Sequence, residues 1–141
     1  MKTYKIYTAG KMAGLSFKEQ MSWRDDLKTQ LLLRTTESVK FAHPPIHSED
    51  CCDGREIMSW DLNQIADCDI VVVNLNSISS SIGTLMELGF INAINSYTTK
   101  HIYVVGIGEP DTNHPWIDLS MFHREDDVIS AADYIAKNLL L

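Results

Sequence analysis

The chain has 141 residues, 45% hydrophobic and 22% charged, with a net charge of −7 at pH 7. That length fits one domain able to bury a core, and that composition excludes extended disorder. The acidic balance excludes a general nucleic-acid-binding surface, which needs a basic face, but leaves room for a small anion held at a helix terminus.

The first residues, Met1-Lys2-Thr3-Tyr4-Lys5, run straight into a strand pattern. No apolar run approaches the roughly 18 residues of a membrane span, and no signal-peptide core is present, so the expectation is a cytoplasmic protein with no membrane partner. Three cysteines, Cys51, Cys52 and Cys68, do not make a disulfide framework. His43, His47, Cys51 and Cys52 lie close in sequence, but their spacing matches no strong zinc pattern, and no metal is expected there.

In chain order, Tyr4-Lys5-Ile6-Tyr7-Thr8-Ala9 reads as a first strand ending at Gly10. After the glycine-bounded loop to Gly14, Ser16 and Glu19 form a capping-box pattern. A helix then runs through Met21, Trp23, Leu27 and Leu31 to Leu33, with Lys18, Arg24, Asp25 and Lys28 on its polar face. Val39-Lys40-Phe41-Ala42 is a short second strand halted by Pro44-Pro45, and an acidic loop follows to Gly54. A helix from Arg55 to Asp67 turns Ile57, Met58, Leu62 and Ile65 inward. The continuous apolar run Ile70-Val71-Val72-Val73-Asn74-Leu75 marks a strand buried on both faces of a parallel sheet.

Ser79-Ser80-Ser81 then lead into a helical pattern carrying Glu87 among Leu85, Met86, Leu88 and Phe90. His101 to Ile107 forms a fourth strand, and residues 108–115 form a loop by composition. Trp116-Ile117 and Met121-Phe122 are apolar islands, and a last helix spans Glu125 to Leu139 with Val128, Ile129, Ala132, Ile135 and Ala136 on one face. Strands alternating with helices predict right-handed crossovers and a parallel sheet.

In such a sheet, ligands bind beyond the carboxyl ends of the strands. That rule gathers Gly10, Lys11, His43, Asn74, Asn76, Ser79 to Ser81, Gly106 and Gly108 on one rim, with Glu87 in the helix that starts there. The serines and Gly83 stand where free backbone N–H groups and the helix dipole favour an anion, a phosphate first of all; a capped turn reads the same way. Glu87 taken alone is equally a solvated glutamate or a carboxylate kept in an apolar segment for use. A receiver domain needs an aspartate at the end of the third strand, where Asn74 stands, and Gly10 and Gly14 do not supply G-x-G-x-x-G.

Four segments together carry a family resemblance: Ile6-Tyr7-Thr8-Ala9-Gly10, then Asp61, then Ala66-Asp67-Cys68-Asp69-Ile70-Val71-Val72, then Gly83-Thr84-Leu85-Met86-Glu87-Leu88-Gly89. The chain resembles the nucleoside 2-deoxyribosyltransferase superfamily, which includes the 2'-deoxynucleoside 5'-phosphate N-hydrolases, in order and over nearly its whole length. The resemblance implies one flavodoxin-like, Rossmann-like three-layer α/β domain over residues 1–141, with a five-stranded parallel sheet and helices on both faces. The residues themselves locate four of those strands.

The resemblance also implies that Glu87 is the nucleophile, attacking the anomeric carbon to form a glycosyl-enzyme intermediate that water or a second base resolves. Asp61 corresponds to the aspartate that helps protonate the leaving base, and Tyr7 to a tyrosine near the sugar and the nucleophile. Without the resemblance, Asp61 passes as a polar-face residue and Tyr7 as a core aromatic. Ser81 stands where the transferases carry an aspartate on the free 5'-hydroxyl. A hydroxyl there removes a like-charge repulsion and implies a nucleoside 5'-monophosphate as substrate.

Gly10, Lys11, Ser79, Ser81 and Gly83 are the candidate substrate-binding residues, with Lys11 compensating for Ala13 where the phosphate hydrolases carry an arginine. Asn113, His114 and Trp116 occupy the loop that in this family reaches into a neighbouring subunit's pocket, implying a homodimer. Trp116 stacks on a base in one reading and packs at an interface or in the core in the other. No metal or organic cofactor is implied. Hydrolysis of the N-glycosidic bond is the leading expectation, base exchange by a transferase the second, and a nucleotide-binding sensor without turnover the third.

Overall fold

A computed structural model describes residues 2–43 and 53–141. His47, Cys51 and Cys52, the acidic loop that holds them, and the Pro44-Pro45 stop lie outside the described residues. Five parallel strands form one sheet in the order β2-β1-β3-β4-β5. The strands are β1 (Thr3–Ala9), β2 (Ser38–Ala42), β3 (Ile70–Asn74), β4 (Tyr103–Ile107) and β5 (His123–Glu125). The helices are α1 (Phe17–Leu32), α2 (Gly54–Ala66), α3 (Ile82–Tyr97), α4 (Pro115–Leu119) and α5 (Val128–Asn138).

The apolar run of β3 divides its side chains between two cores, as a strand covered on both faces must. Val71 and Val73 pack with Tyr7 of β1, Ile65 of α2, and Leu88 and Ile91 of α3. Ile70 and Val72 pack with Ile6, Leu27 and Leu31 of α1, and Ala132 and Ile135 of α5. The three layers are therefore α2 and α3 with the short α4, the sheet, and α1 with α5. Register aligns Tyr7 with Val71 and Ala9 with Val73, which brings the ends of β1 and β3 side by side. The chain reverses strand order at that point, where an open α/β sheet forms its crevice.

Some expectations change. Arg24 is not on the polar face of α1; it is buried, 3% exposed. It shares the helix face of Leu27 and Leu31, spaced three and four residues apart, and that face lies on the sheet. Met58 of α2 and Ile129 of α5 point outward, at 49% and 55% exposure, because Ile65 on α2, and Ala132 and Ile135 on α5, already fill the inner faces. The last helix starts at Val128, not Glu125, since the Asp127 side chain caps it by accepting from the Ser130 N–H at 2.7 Å. Residues His123–Glu125 instead form the edge strand β5. The Trp116-Ile117 island belongs to α4, which buries Ile117 and leaves Trp116 outside. No helix among the described residues is long and apolar enough to cross a membrane.

Candidate active site

The turn between β3 and α3 is built from its sequence. The Asn74 side chain ends β3 by accepting from the Asn76 N–H at 3.0 Å. Ser77 takes a left-handed conformation, φ 57°, and Ile78 anchors the single 3-10 turn Ile78–Ser80 in the core. Ser81 then starts α3, its N–H donating to the Ile78 carbonyl at 3.0 Å.

Helices α1, α2, α4 and α5 each have a side-chain cap, from Ser16, Asp53, His114 and Asp127 respectively. Helix α3 has none, because the Ser81 hydroxyl donates to Thr84 Oγ1 at 2.8 Å instead. Its first N–H groups thus keep their partial positive charge for something outside the helix.

That uncapped end opens into a cleft of about 360 Å³. Gly10, Lys11, Asp61, Ser81, Gly83 and Glu87, six of the residues singled out in the sequence, line it together with Thr84 and Ile57. Lys11 donates from Nζ to Ser80 Oγ at 3.1 Å, setting its ammonium beside the serine turn. Gly10 has a packing reason: a Cβ there would stand 3.1 Å from the Trp23 ring and 3.2 Å from Asn74 Cβ. A larger residue needs the Trp23 ring and Asn74 to give way by a few tenths of an ångström. A Cβ on Gly83 would meet nothing within 4 Å, so that glycine leaves open space at the cleft.

Glu87 is buried at the base of this cleft, and burial pushes its carboxyl up from 4.5 to about 7. The Tyr7 phenol beside the carboxylate opposes that shift, the nearby Asp61 charge adds to it, and the Arg24 charge opposes it. Tyr7 is fully enclosed, and burial, then the charges of Glu87 and Asp61, raise its pKa far above the ordinary range, so it stays a neutral donor. Glu87 Oε2, Tyr7 Oη and Arg24 Nη2 are buried without a hydrogen bond of normal geometry. Such groups are costly in a finished core and ordinary in a site awaiting a ligand. Chemically, two carboxylates on α2 and α3, one with a raised pKa, and a neutral phenol can divide the roles of nucleophile, proton carrier and donor.

Ser79, His114 and Trp116 are not in this cleft. They line a second pocket of about 410 Å³ on the other side of α3, with Leu85, Leu88 and Ile117. Ser79 is committed to Asp111, which accepts from its N–H at 2.9 Å and its hydroxyl at 2.6 Å. Trp116 is 73% exposed, so it is not a core residue, and Asn113 is exposed and lines neither pocket. Sequence reasoning missed Asp111, which nothing in its loop signals, and Arg24, whose spacing from Leu27 and Leu31 was a readable signal. Among the described residues no cluster of His, Cys, Asp and Glu could hold a metal.

No family model matches the chain, and no curated protein matches it. Solved structures do. A conserved protein from Enterococcus faecalis V583 superposes with a TM-score of 0.70 at 16% identity, covering 98% of this chain and 100% of that one. A 2-desoxiribosyltransferase from Leishmania mexicana superposes with a TM-score of 0.59 at 16% identity, covering 97% of this chain and 99% of that one. The chain has a 2-deoxyribosyltransferase-like fold along its whole length.

Proposed function

We propose that this chain hydrolyses the N-glycosidic bond of a nucleoside 5'-monophosphate, with Glu87 as nucleophile and Asp61 as proton carrier. The observation that carries the reading is the meeting in one cleft of a buried glutamate, a second carboxylate and an uncapped helix end beside a lysine. Glu87 Oε forms a bond to the anomeric carbon while the bond to the base breaks. The two carboxyls share one proton; when Glu87 is ionised that proton sits on Asp61, and the base nitrogen takes the electron pair and this proton. Water then attacks the same carbon, returns a proton to Asp61 and frees Glu87, giving (deoxy)ribose 5-phosphate. Tyr7, enclosed beside Glu87 and outside the cleft lining, serves to donate to the glutamate and does not choose the sugar.

The phosphate end has its own support. Lys11, Ser80 and the free N–H groups at Ile82 to Thr84 suit an anion, and Ser81 adds no charge to repel it. Ser79 serves Asp111 and is left out of this subsite. The 2-desoxiribosyltransferase neighbour favours base exchange as the second reading, since transfer and hydrolysis share the intermediate. The exposed apolar residues Ile82 and Met86 of α3, and Trp116 and Leu119 of α4, support a homodimer in which Asn113, His114 and Trp116 help complete a neighbour's cleft. A sensor without turnover is the third reading.

The test incubates the protein and its Ser81→Asp variant with nucleosides and nucleoside 5'-monophosphates, with and without a free acceptor base. The expected result is base release from monophosphates without an acceptor, reduced on the order of a hundredfold in Ser81→Asp while any activity on nucleosides persists. Base exchange that requires an acceptor moves the reading to a transferase. Binding without turnover rejects both.

A further inference from the structure

The described residues bury two charged side chains, and they have opposite signs: Glu87 on α3 and Arg24 on α1. They come from opposite layers of the fold and meet electrostatically at the carboxyl end of β1. The Arg24 guanidinium is held from several directions. Its Nε donates to Thr8 Oγ1 at 3.1 Å, and its Nη1 donates to the Gln20 carbonyl. The Trp23 ring covers it, with Cζ 4.6 Å from the ring centroid. The remaining nitrogen, Nη2, stands 3.7 Å from where a Gly10 Cβ would lie and has no hydrogen-bond partner.

A guanidinium fixed in this way has lost most of its hydration, a cost that persists in a fold only when an opposite charge offsets it or the site uses it. We propose that Arg24 is a positioning residue, the fixed countercharge that lets the buried Glu87 carboxylate form beside Tyr7. The inference rests on Glu87 as the nucleophile for its purpose, though not for its measurement.

The groups facing this charge are Tyr7 of β1, Glu87 of α3 and His43 at the end of β2, the last of which also feels Asp25 and Lys28 of α1; Asp61 of α2 and Lys11 also face Glu87 across the cleft. Burial lowers Arg24 from 12.5 to about 10, which leaves it charged at neutral pH. Asp61 works against ionisation of Glu87 and Arg24 works for it, so the carboxylate's titration reports the balance between them. Gly10 fits the same account. A Cβ there would crowd the Trp23 ring that covers the guanidinium, at 3.1 Å, while meeting Arg24 Nη2 at an ordinary 3.7 Å.

The experiment follows the Glu87 side-chain carboxyl by carbon NMR across a pH series in the full chain and in its Arg24→Gln and Arg24→Lys variants. Neutralisation is expected to move the Glu87 midpoint upward by roughly one unit, leaving about fivefold less carboxylate at pH 7, while lysine restores most of the midpoint. A midpoint that stays put in Arg24→Gln overturns the proposal. If base release is observed, its acidic limb should move with the midpoint. A moved midpoint with no activity to follow supports the countercharge and removes the nucleophile reading; an unmoved midpoint in an active enzyme does the reverse. If Arg24→Gln does not fold, it is made in the Glu87→Gln background, where no carboxylate needs the cation. A smaller loss of stability there than in the wild-type background supports the proposal, and an equal loss overturns it.

Discussion

The pockets on the two sides of α3 have similar volumes, about 360 and 410 Å³, and opposite chemistry. The first holds Glu87 and Asp61 beside an uncapped helix end, with buried polar atoms lacking hydrogen bonds at its base. The second is walled by Leu85, Leu88 and Ile117, and its polar groups are satisfied: Asn92 donates to Ser120 Oγ at 2.8 Å, and Ser120 donates to the Trp116 carbonyl at 2.6 Å. Size therefore does not single out the candidate site. Unmet polar groups and a displaced titration do, because a fold tolerates such costs only where they are used.

Removing the charge from the first pocket should erase much of that contrast. The folded state raises the Glu87 pKa from 4.5 to about 7, so it holds a proton that the unfolded chain has released. The Glu87 contribution to stability is then favourable below about 4.5, falls as pH rises towards about 7, and levels off above it, a change of roughly 3 kcal/mol. Glu87→Gln is expected to melt higher than wild type at pH 8 and to flatten this slope, as read by thermal denaturation across pH. The carboxylates of Glu19, Asp67, Asp111 and Asp127 are shifted down and act in the opposite sense only at lower pH. A variant with an unchanged slope would break the comparison.

A smaller effect belongs to Asp111, which ties its loop to Ser79 and feels the charge of Lys11. Under the proposed function its negative charge would compete with the substrate phosphate for that lysine. Asp111→Asn should lower KM for monophosphates by about two- to fivefold at low salt and much less at high salt, with nucleosides unaffected. A salt-independent change would mean that the loop, not the charge, was responsible.

Much of this was legible in the sequence. The unbroken apolar run of β3 indicated burial on both faces, and the Ser16–Glu19 capping box is present, with N–H to oxygen distances of 3.2 Å each way. Of the residues the strand-end rule places on one rim, Gly10, Lys11, Ser80, Ser81 and Glu87 line the cleft, whereas His43, Asn74, Asn76, Ser79, Gly106 and Gly108 do not. Strand β5 was hidden because His123-Arg124-Glu125 is polar; it forms as an edge strand, with the His123 ring stacked 3.5 Å from Tyr134. Arg24 was hidden because a charge in a helix reads as exposed by default, although its spacing to Leu27 and Leu31 said otherwise. Ser79 and Ser81 are near neighbours in sequence yet face different pockets, since a 3-10 turn ending at Ser80 rotates one away from the other.

A covalent bond between the sugar and Glu87 is tested directly by a slowed substrate. A nucleoside 5'-monophosphate carrying an electron-withdrawing 2'-fluorine should release its base and hydrolyse slowly afterwards, so that the sugar phosphate accumulates on the enzyme. Peptide mapping by mass spectrometry is predicted to find it on the peptide containing Glu87, as an ester, and to find none in Glu87→Gln. A sugar phosphate on any other side chain, or full base release by Glu87→Gln, would contradict the account.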